Sequence, residues 1–239
     1  MSVSGSKVVV VGGGTGIGAA IAKSLDKAGA KVAIGGRRDD ALQSTATGTK
    51  MLTHTVDVAE RKSVQDFFAW TDKELGEIDI LVIAAGINIK NRSMAEMPPE
   101  EWDRVMAINA TGAYNCMYSV LPSMRRRRQG TIINISSIAG KRAAALGGIA
   151  YAASKFAMTA LGTSVANEVC GDGVRITNLY PGEVNTPILE QRPQVVSDLQ
   201  KQQMLQPEHV AVLVLAIVSL PPSVHVPEVV IKPLSQGWI

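Results

Sequence analysis

Four consecutive valines, Val8 to Val11, run directly into Gly12-Gly13-Gly14-Thr15-Gly16-Ile17-Gly18, and a helical stretch, Ala19 to Ala28, follows without a break. An unbroken β-branched run reads as a strand buried on both faces, which requires a sheet covered on both sides. Glycines at the turn allow a sharp reversal, let backbone approach a ligand closely and let the new helix pack on the sheet. The helix start leaves N–H groups without intrahelical partners, and these favour an anion. Strand, glycine turn and helix in that order point to a pyrophosphate cradle formed by Gly12, Gly14, Thr15, Gly16, Ile17 and Gly18. Turn geometry alone is the competing reason for glycine at such a place. A triphosphatase-type phosphate loop is excluded, because no Gly-Lys-Ser/Thr closes the segment.

Strand-like and helix-like segments alternate from there on. Lys31 to Gly35, Met51 to Val56, Ile78 to Ala84, Thr131 to Ser136 and Val174 to Tyr180 read as strands. Asp39 to Thr45, Glu60 to Leu75, Pro99 to Arg128 (bent near Gly112) and Tyr151 to Cys170 read as helices. This rhythm predicts an α/β fold: a Rossmann-like, doubly wound parallel sheet with right-handed crossovers, in a single domain over residues 1–239. With 46% hydrophobic and 19% charged residues, a disordered chain is excluded. A net charge of +3 does not suggest nucleic-acid binding, and Arg125 to Arg128 read as a solvated helix end suited to the C-terminal dipole. No apolar segment approaches membrane-spanning length, and Met1 to Lys7 is not expected to be a signal peptide. Cys116 and Cys170, outside any CxxC spacing, read as buried thiols of a reducing, cytoplasmic compartment. His54, His209 and His225 are scattered, so no metal is expected.

Tyr151 and Lys155 stand four apart in the first turns of a helix, which puts phenol and ammonium on one face. A free tyrosine holds its proton to a pKa of about 10, and a fixed cation nearby lowers that value. Tyr151 is therefore a candidate acid and base with Lys155 as its cation, although such a pair also arises by chance on many helices. Ile135-Ser136-Ser137-Ile138 closes a strand at the end where open α/β sheets bind ligands, so a hydroxyl here either reaches the same place or caps a turn. Asn109 is a poor helix former inside a helical stretch: it marks a kink, a polar contact beneath the site, or a solvent-facing side chain.

The second strand ends at Gly36, where a dinucleotide fold would place an acidic residue against the ribose hydroxyls, and Arg37 and Arg38 follow. Loss of the acid and gain of two guanidiniums favour NADP over NAD, because the forks match a 2′-phosphate. A plain surface helix start with Asp39 and Asp40 at its positive end is the alternative. Asp57 either accepts from the adenine amine or caps the next helix, and Val58 beside it joins the same candidate set. Ala85 and Gly86 allow close approach of the nicotinamide ribose, or simply end their strand. The helix from Tyr151 has small and apolar residues around its circumference, which predicts burial on more than one side and a symmetric homodimer or homotetramer.

These residues together resemble the short-chain dehydrogenase/reductase family, from about Lys7 to Thr186. The family's TGxxxGxG loop matches at Gly12, Gly16 and Gly18, with Val11 in place of threonine; its serine matches Ser137, its YxxxK matches Tyr151 and Lys155, and its helix asparagine matches Asn109. Pro181-Gly182-Glu183-Val184-Asn185-Thr186 resembles the PG segment that flanks the nicotinamide carboxamide, which adds Pro181, Gly182, Val184 and Thr186 to the candidate cofactor contacts. Two departures stand out. Ile83-Ala84-Ala85-Gly86 replaces Asn-Asn-Ala-Gly, so polar support between central strands must come from elsewhere, and the chain ends without an Asp-Gly-Gly tail. The resemblance implies hydride transfer between NADP(H) and a carbonyl or secondary alcohol of a small molecule. It casts Tyr151 as the acid, Ser137 as the holder of the substrate oxygen, Lys155 as ribose ligand, and Asn109 as keeper of a water path. Pro187 to Gln206 is expected to cover the substrate, and Lys141 and Arg142 either meet an anionic substrate or form a solvated turn. A catalytically silent dinucleotide sensor on the same fold is the alternative.

Overall fold

Val8 and Val10 enter one apolar layer, and Val9 and Val11 enter the other. Side chains alternate across a strand, so a continuous valine run is stable only where both faces are covered. The structure is a computed structural model that describes residues 3–237; Met1 and Ser2 of the opening segment, with Trp238 and Ile239, lie outside the described residues. In chain order the main elements are β1 (Lys7–Val11), α1 (Gly16–Lys27), β2 (Lys31–Gly36), α2 (Asp39–Ala46), β3 (Leu52–Thr55), α3 (Arg61–Leu75) and β4 (Ile80–Ile83). Then come α4 (Pro99–Met106), α5 (Gly112–Arg127), β5 (Gly130–Ile135), α6 (Ile149–Val169), β6 (Val174–Pro181), α7 (Asp198–Gln203), α8 (Pro207–Val218) and β7 (Glu228–Ile231).

Seven parallel strands form one sheet in the order β3-β2-β1-β4-β5-β6-β7. One face carries Ile21 and Leu25 of α1 with Val210 and Val214 of α8; the other carries Phe67 of α3, Met117 of α5 and Met158 of α6. Each fully buried side chain of this size contributes about 1.5–3 kcal/mol relative to exposure. The winding reverses between β1 and β4, which opens a crevice above their C-terminal ends. No helix among the described residues is long and apolar enough to cross a membrane.

The expected bend in the Pro99–Arg128 region is a π-helical turn, Ala107–Thr111, ending at Gly112. The missing strand asparagines are replaced one strand over. Asn134 on β5 sits opposite Asn178 on β6 and donates to its side chain at 3.0 Å, while Asn178 donates to Thr159 and Thr163 of α6. Gly162 makes room for that pair, since a Cβ there would fall 2.2 Å from Asn178 Oδ1.

Past Tyr180, α8 and β7 complete the sheet and its cover. Two expectations need correction. Cys116 is buried but Cys170 is exposed. Arg125 to Arg127 are not merely solvated, because they pair with Glu168, Asp172, Glu77 and Asp79 and tie the end of α5 to its neighbours.

Candidate active site

A cavity of about 890 Å³ runs along the crevice, near the upper end of the usual range for ligand pockets. Gly12, Gly14, Thr15, Gly16, Ile17 and Gly18 line one stretch of it. The turn admits only glycine at two points. A Cβ on Gly12, at φ +84°, would fall 2.4 Å from Ala85 N, and one on Gly18 would fall 2.1 Å from Gly12 O. Helix α1 therefore starts pressed against the strand ends, with no side-chain cap from Thr15 and no acid in its first turn. Its leading N–H groups and positive dipole end are left for an anion.

Gly36, Arg37 and Arg38 line the same cavity, and both arginine side chains are exposed there. No carboxylate closes β2, while Asp39 and Asp40 lie in the first turn of α2. Asp57 and Val58 also line the cavity; Asp57 Oδ1 accepts from Ala59 N at 3.0 Å, so one of its oxygens already braces the turn.

Tyr151, Lys155 and Ser137 meet at another part of the wall, with Ala85, Gly86, Pro181, Gly182, Val184 and Thr186 around them. Ser136 turns its hydroxyl to Lys155 O and Thr159 on α6, whereas the Ser137 hydroxyl accepts from Ala139 N at 3.1 Å, capping the turn that follows, and faces the Tyr151 phenol closely enough to favour its charged form. Asn109 does not line the cavity. It lies fully buried in the π turn, where its Oδ1 accepts from Ile87 N at 2.8 Å and its Nδ2 donates to Ile87 O at 2.9 Å and to the Ser154 hydroxyl at 3.0 Å. That rules out the solvent-facing alternative.

Without ligand, Lys155 is anchored away from the Tyr151 phenol. Lys155 Nζ donates to the Ile135 carbonyl at 2.9 Å and stands 5.8 Å from the Tyr151 ring centroid. Burial pushes its ammonium down to about 8. Burial also raises the Tyr151 phenol above its ordinary value; the Ser137 hydroxyl and the positive charge of Arg92 pull it back. Without ligand, the tyrosine is a neutral proton donor rather than a phenolate.

Arg92, in the loop after β4, belongs to no motif and was not expected; nor were Asn88, Arg192 and Gln236, which line the same wall. Only the fold brings them there, and no local pattern marks them. Lys141 pairs with Glu228 and lies over the Tyr180 ring at 4.4 Å, so it ties the loop after β5 to β7. Arg142 lines the cavity.

A nicotinamide dinucleotide fits these residues on two counts. The glycine turn presents an uncapped helix end with no acid beside it. Lys155, only 4% exposed, uses one N–H on a carbonyl and offers another to Met158 Sδ at 3.7 Å, which leaves a donor for ligand hydroxyls beside Gly86.

Residues 6–196 match the family model described as short chain dehydrogenase. A glycine betaine reductase from Emericella nidulans is 36% identical over 243 residues; the match covers 98% of this chain but 19% of that protein. A D-beta-hydroxybutyrate dehydrogenase from Rhizobium meliloti is 33% identical over 192 residues, covering 77% of this chain and 73% of the relative. A serine dehydrogenase solved with NADP+ superposes with a TM-score of 0.89 at 28% identity, covering 97% of this chain and 96% of the other. With its glycine turn, seven-stranded sheet and Ser–Tyr–Lys cluster in one crevice, the chain belongs to the short-chain dehydrogenase/reductase family of oxidoreductases.

Proposed function

We propose that the chain catalyses reversible exchange of a hydride between NADP(H) and a carbonyl or secondary alcohol of a small molecule. The observation that carries the proposal is the Tyr151 phenol, set in the same cavity as the Ser137 hydroxyl and a buried Lys155. When bound, the nicotinamide supplies or accepts the hydride. Tyr151 gives its proton to the carbonyl oxygen, and Ser137 holds that oxygen as negative charge develops on it. Lys155 holds the nicotinamide ribose hydroxyls and favours the phenolate once the proton has left. Asn109 anchors the Ile87 backbone beneath the site; keeping a proton path open from Lys155 is the role the family resemblance gives it.

Gly12 to Gly18 and the start of α1 hold the pyrophosphate, and Asp57 and Val58 border the adenine. Ala85, Gly86 and the Pro181–Thr186 segment border the nicotinamide half. Arg37 and Arg38 take the 2′-phosphate, which gives the preference for NADP over NAD. The segment 187–206, including α7, covers the substrate. Exposed Tyr114 and Tyr118 on α5 and Phe156 on α6 support a symmetric homo-oligomer formed through these helices.

Steady-state assays of a ketone and aldehyde panel with NADPH and with NADH test the reading. Turnover of at least one member, faster with NADPH, is expected. Tight NADPH binding with no turnover across the panel would favour the silent sensor.

A further inference from the structure

The guanidinium of Arg92 is held by three separate parts of the chain. Its Nε donates to Ile89 O at 2.6 Å, Nη1 donates to Leu146 O, and Nη2 donates to Gln191 O at 2.7 Å. Gly148, at φ +78°, lets the backbone ahead of α6 lie against the arginine stem; a Cβ there would fall 2.5 Å from Arg92 Cβ. The side chain is therefore fixed where it lines the cavity, close enough for its charge to act on the Tyr151 phenol.

Three carbonyls satisfy hydrogen bonds but bring no negative charge. Among the described residues no carboxylate pairs with Arg92. Glu183, on the same wall, is taken by Arg192 at 2.6 Å, and the exposed Glu190 makes no ion pair with Arg92. The Arg192 charge acts on Arg92 as a repulsion. A guanidinium has five N–H donors, so two remain after the three carbonyls. Partly buried cations are ordinarily paired, and a pair of guanidinium donors matches the two oxygens of a carboxylate. Arg142 and Arg192 line the same cavity.

We propose that Arg92 is the anion subsite of the substrate pocket and that the preferred substrate is an oxo acid or hydroxy acid, with its carboxylate near the reacting carbon. This inference rests on the redox reading of the same cavity. It makes Arg92 a specificity-determining residue, with the carbonyl end of the substrate at Tyr151 and Ser137 and the carboxylate end at the guanidinium.

The test compares 2-oxo, 3-oxo and 4-oxo acids with their methyl esters, using NADPH and the parent, Arg92→Leu and Arg92→Lys proteins. The parent is expected to favour one acid over its ester by about a hundred-fold in kcat/KM. Arg92→Leu should lose far more on the acid than on the ester, and Arg92→Lys should recover part of the preference. A loss in Arg92→Leu that is equal for acid and ester would make Arg92 a brace between loops and overturn the proposal. Because the leucine variant can also disturb those loops, the unaltered protein supplies a second readout: butyrate should compete with the carbonyl substrate, and butyramide should compete far less. Equal inhibition by the two, or turnover confined to neutral carbonyls, would overturn the anion subsite while leaving the redox reading intact. Absence of turnover with every carbonyl, acid or neutral, would overturn the redox reading and this one with it.

Discussion

Lys155 directs its ammonium to the carbonyl oxygen of Ile135, 2.9 Å away, and keeps it 5.8 Å from the ring centroid of Tyr151. The two side chains leave the same helical face, yet the cation is anchored on the end of β5 rather than on the phenol. Its position beside Gly86 points toward a ligand that the chain alone does not supply. A charge kept out of water for a ligand's sake is costly until the ligand arrives.

That cost is measurable. Unfolded, the lysine keeps its proton to about 10.5; folded, it keeps it only to about 8. Between those values the unfolded chain binds more protons, so stability of the ligand-free protein rises with pH across that window. Below about 8 the penalty is present in full. Lys155→Met should therefore stabilise the ligand-free protein at pH 7 by about 1–3 kcal/mol while removing activity, and the gap should close as pH rises toward 10. Urea denaturation of both proteins across this range checks it; a less stable variant at pH 7, or a gap independent of pH, would be the contrary result.

The proposed preference for NADP rests on the end of β2. A Cβ on Gly36 would meet only Leu42 Cδ2, at 3.6 Å, an ordinary contact, so a side chain can start there without strain. Gly36→Asp sets a negative charge beside the proposed phosphate site, and Arg37→Ala removes a cation from it. Each should weaken NADPH binding about ten-fold or more, about 1.4 kcal/mol per factor of ten, with little effect on NADH. Calorimetric titration with both cofactors decides; equal losses on both would return Arg37 to a surface role.

Asn109 is a structural keystone of the π turn. Alanine at this place would leave Ile87 N and O without their side-chain partners and strand the Ser154 contact. Asn109→Ala should cost about 2–4 kcal/mol of stability and lower turnover with it. Thermal and chemical denaturation measure the loss, and a change below about 0.5 kcal/mol, the range of ordinary surface substitutions, would deny Asn109 this role.

Much of the fold is legible in the sequence because its signals are local. The valine run and glycine turn identify β1 and the start of α1, and the alternation that follows carries the reading as far as β6. The reading stops there for a physical reason. Helix α8 is apolar almost all round, and β7 is only four residues, so neither shows a clear period. At the site, spacing places Tyr151 and Lys155 on one face, but it cannot say which acceptor the long lysine chain will find; the Ile135 carbonyl, 20 residues away in sequence, decides that. Arg92 is invisible for the same reason, being placed by contacts with Leu146 and Gln191. The helix end at Arg125 to Arg127 looked solvated because its acidic partners come from α6, the turn after it and the segment between α3 and β4.

The most direct measurement is single-turnover consumption of NADPH by Tyr151→Phe, taken beside equilibrium NADPH binding and using whichever carbonyl the parent reduces fastest. Removing the phenolic hydroxyl should slow the hydride step by about a hundred-fold or more while leaving NADPH affinity within a few-fold of the parent. A phenylalanine variant that consumes NADPH as fast as the parent would show that the proton comes from elsewhere, and the role given to Tyr151 would be wrong.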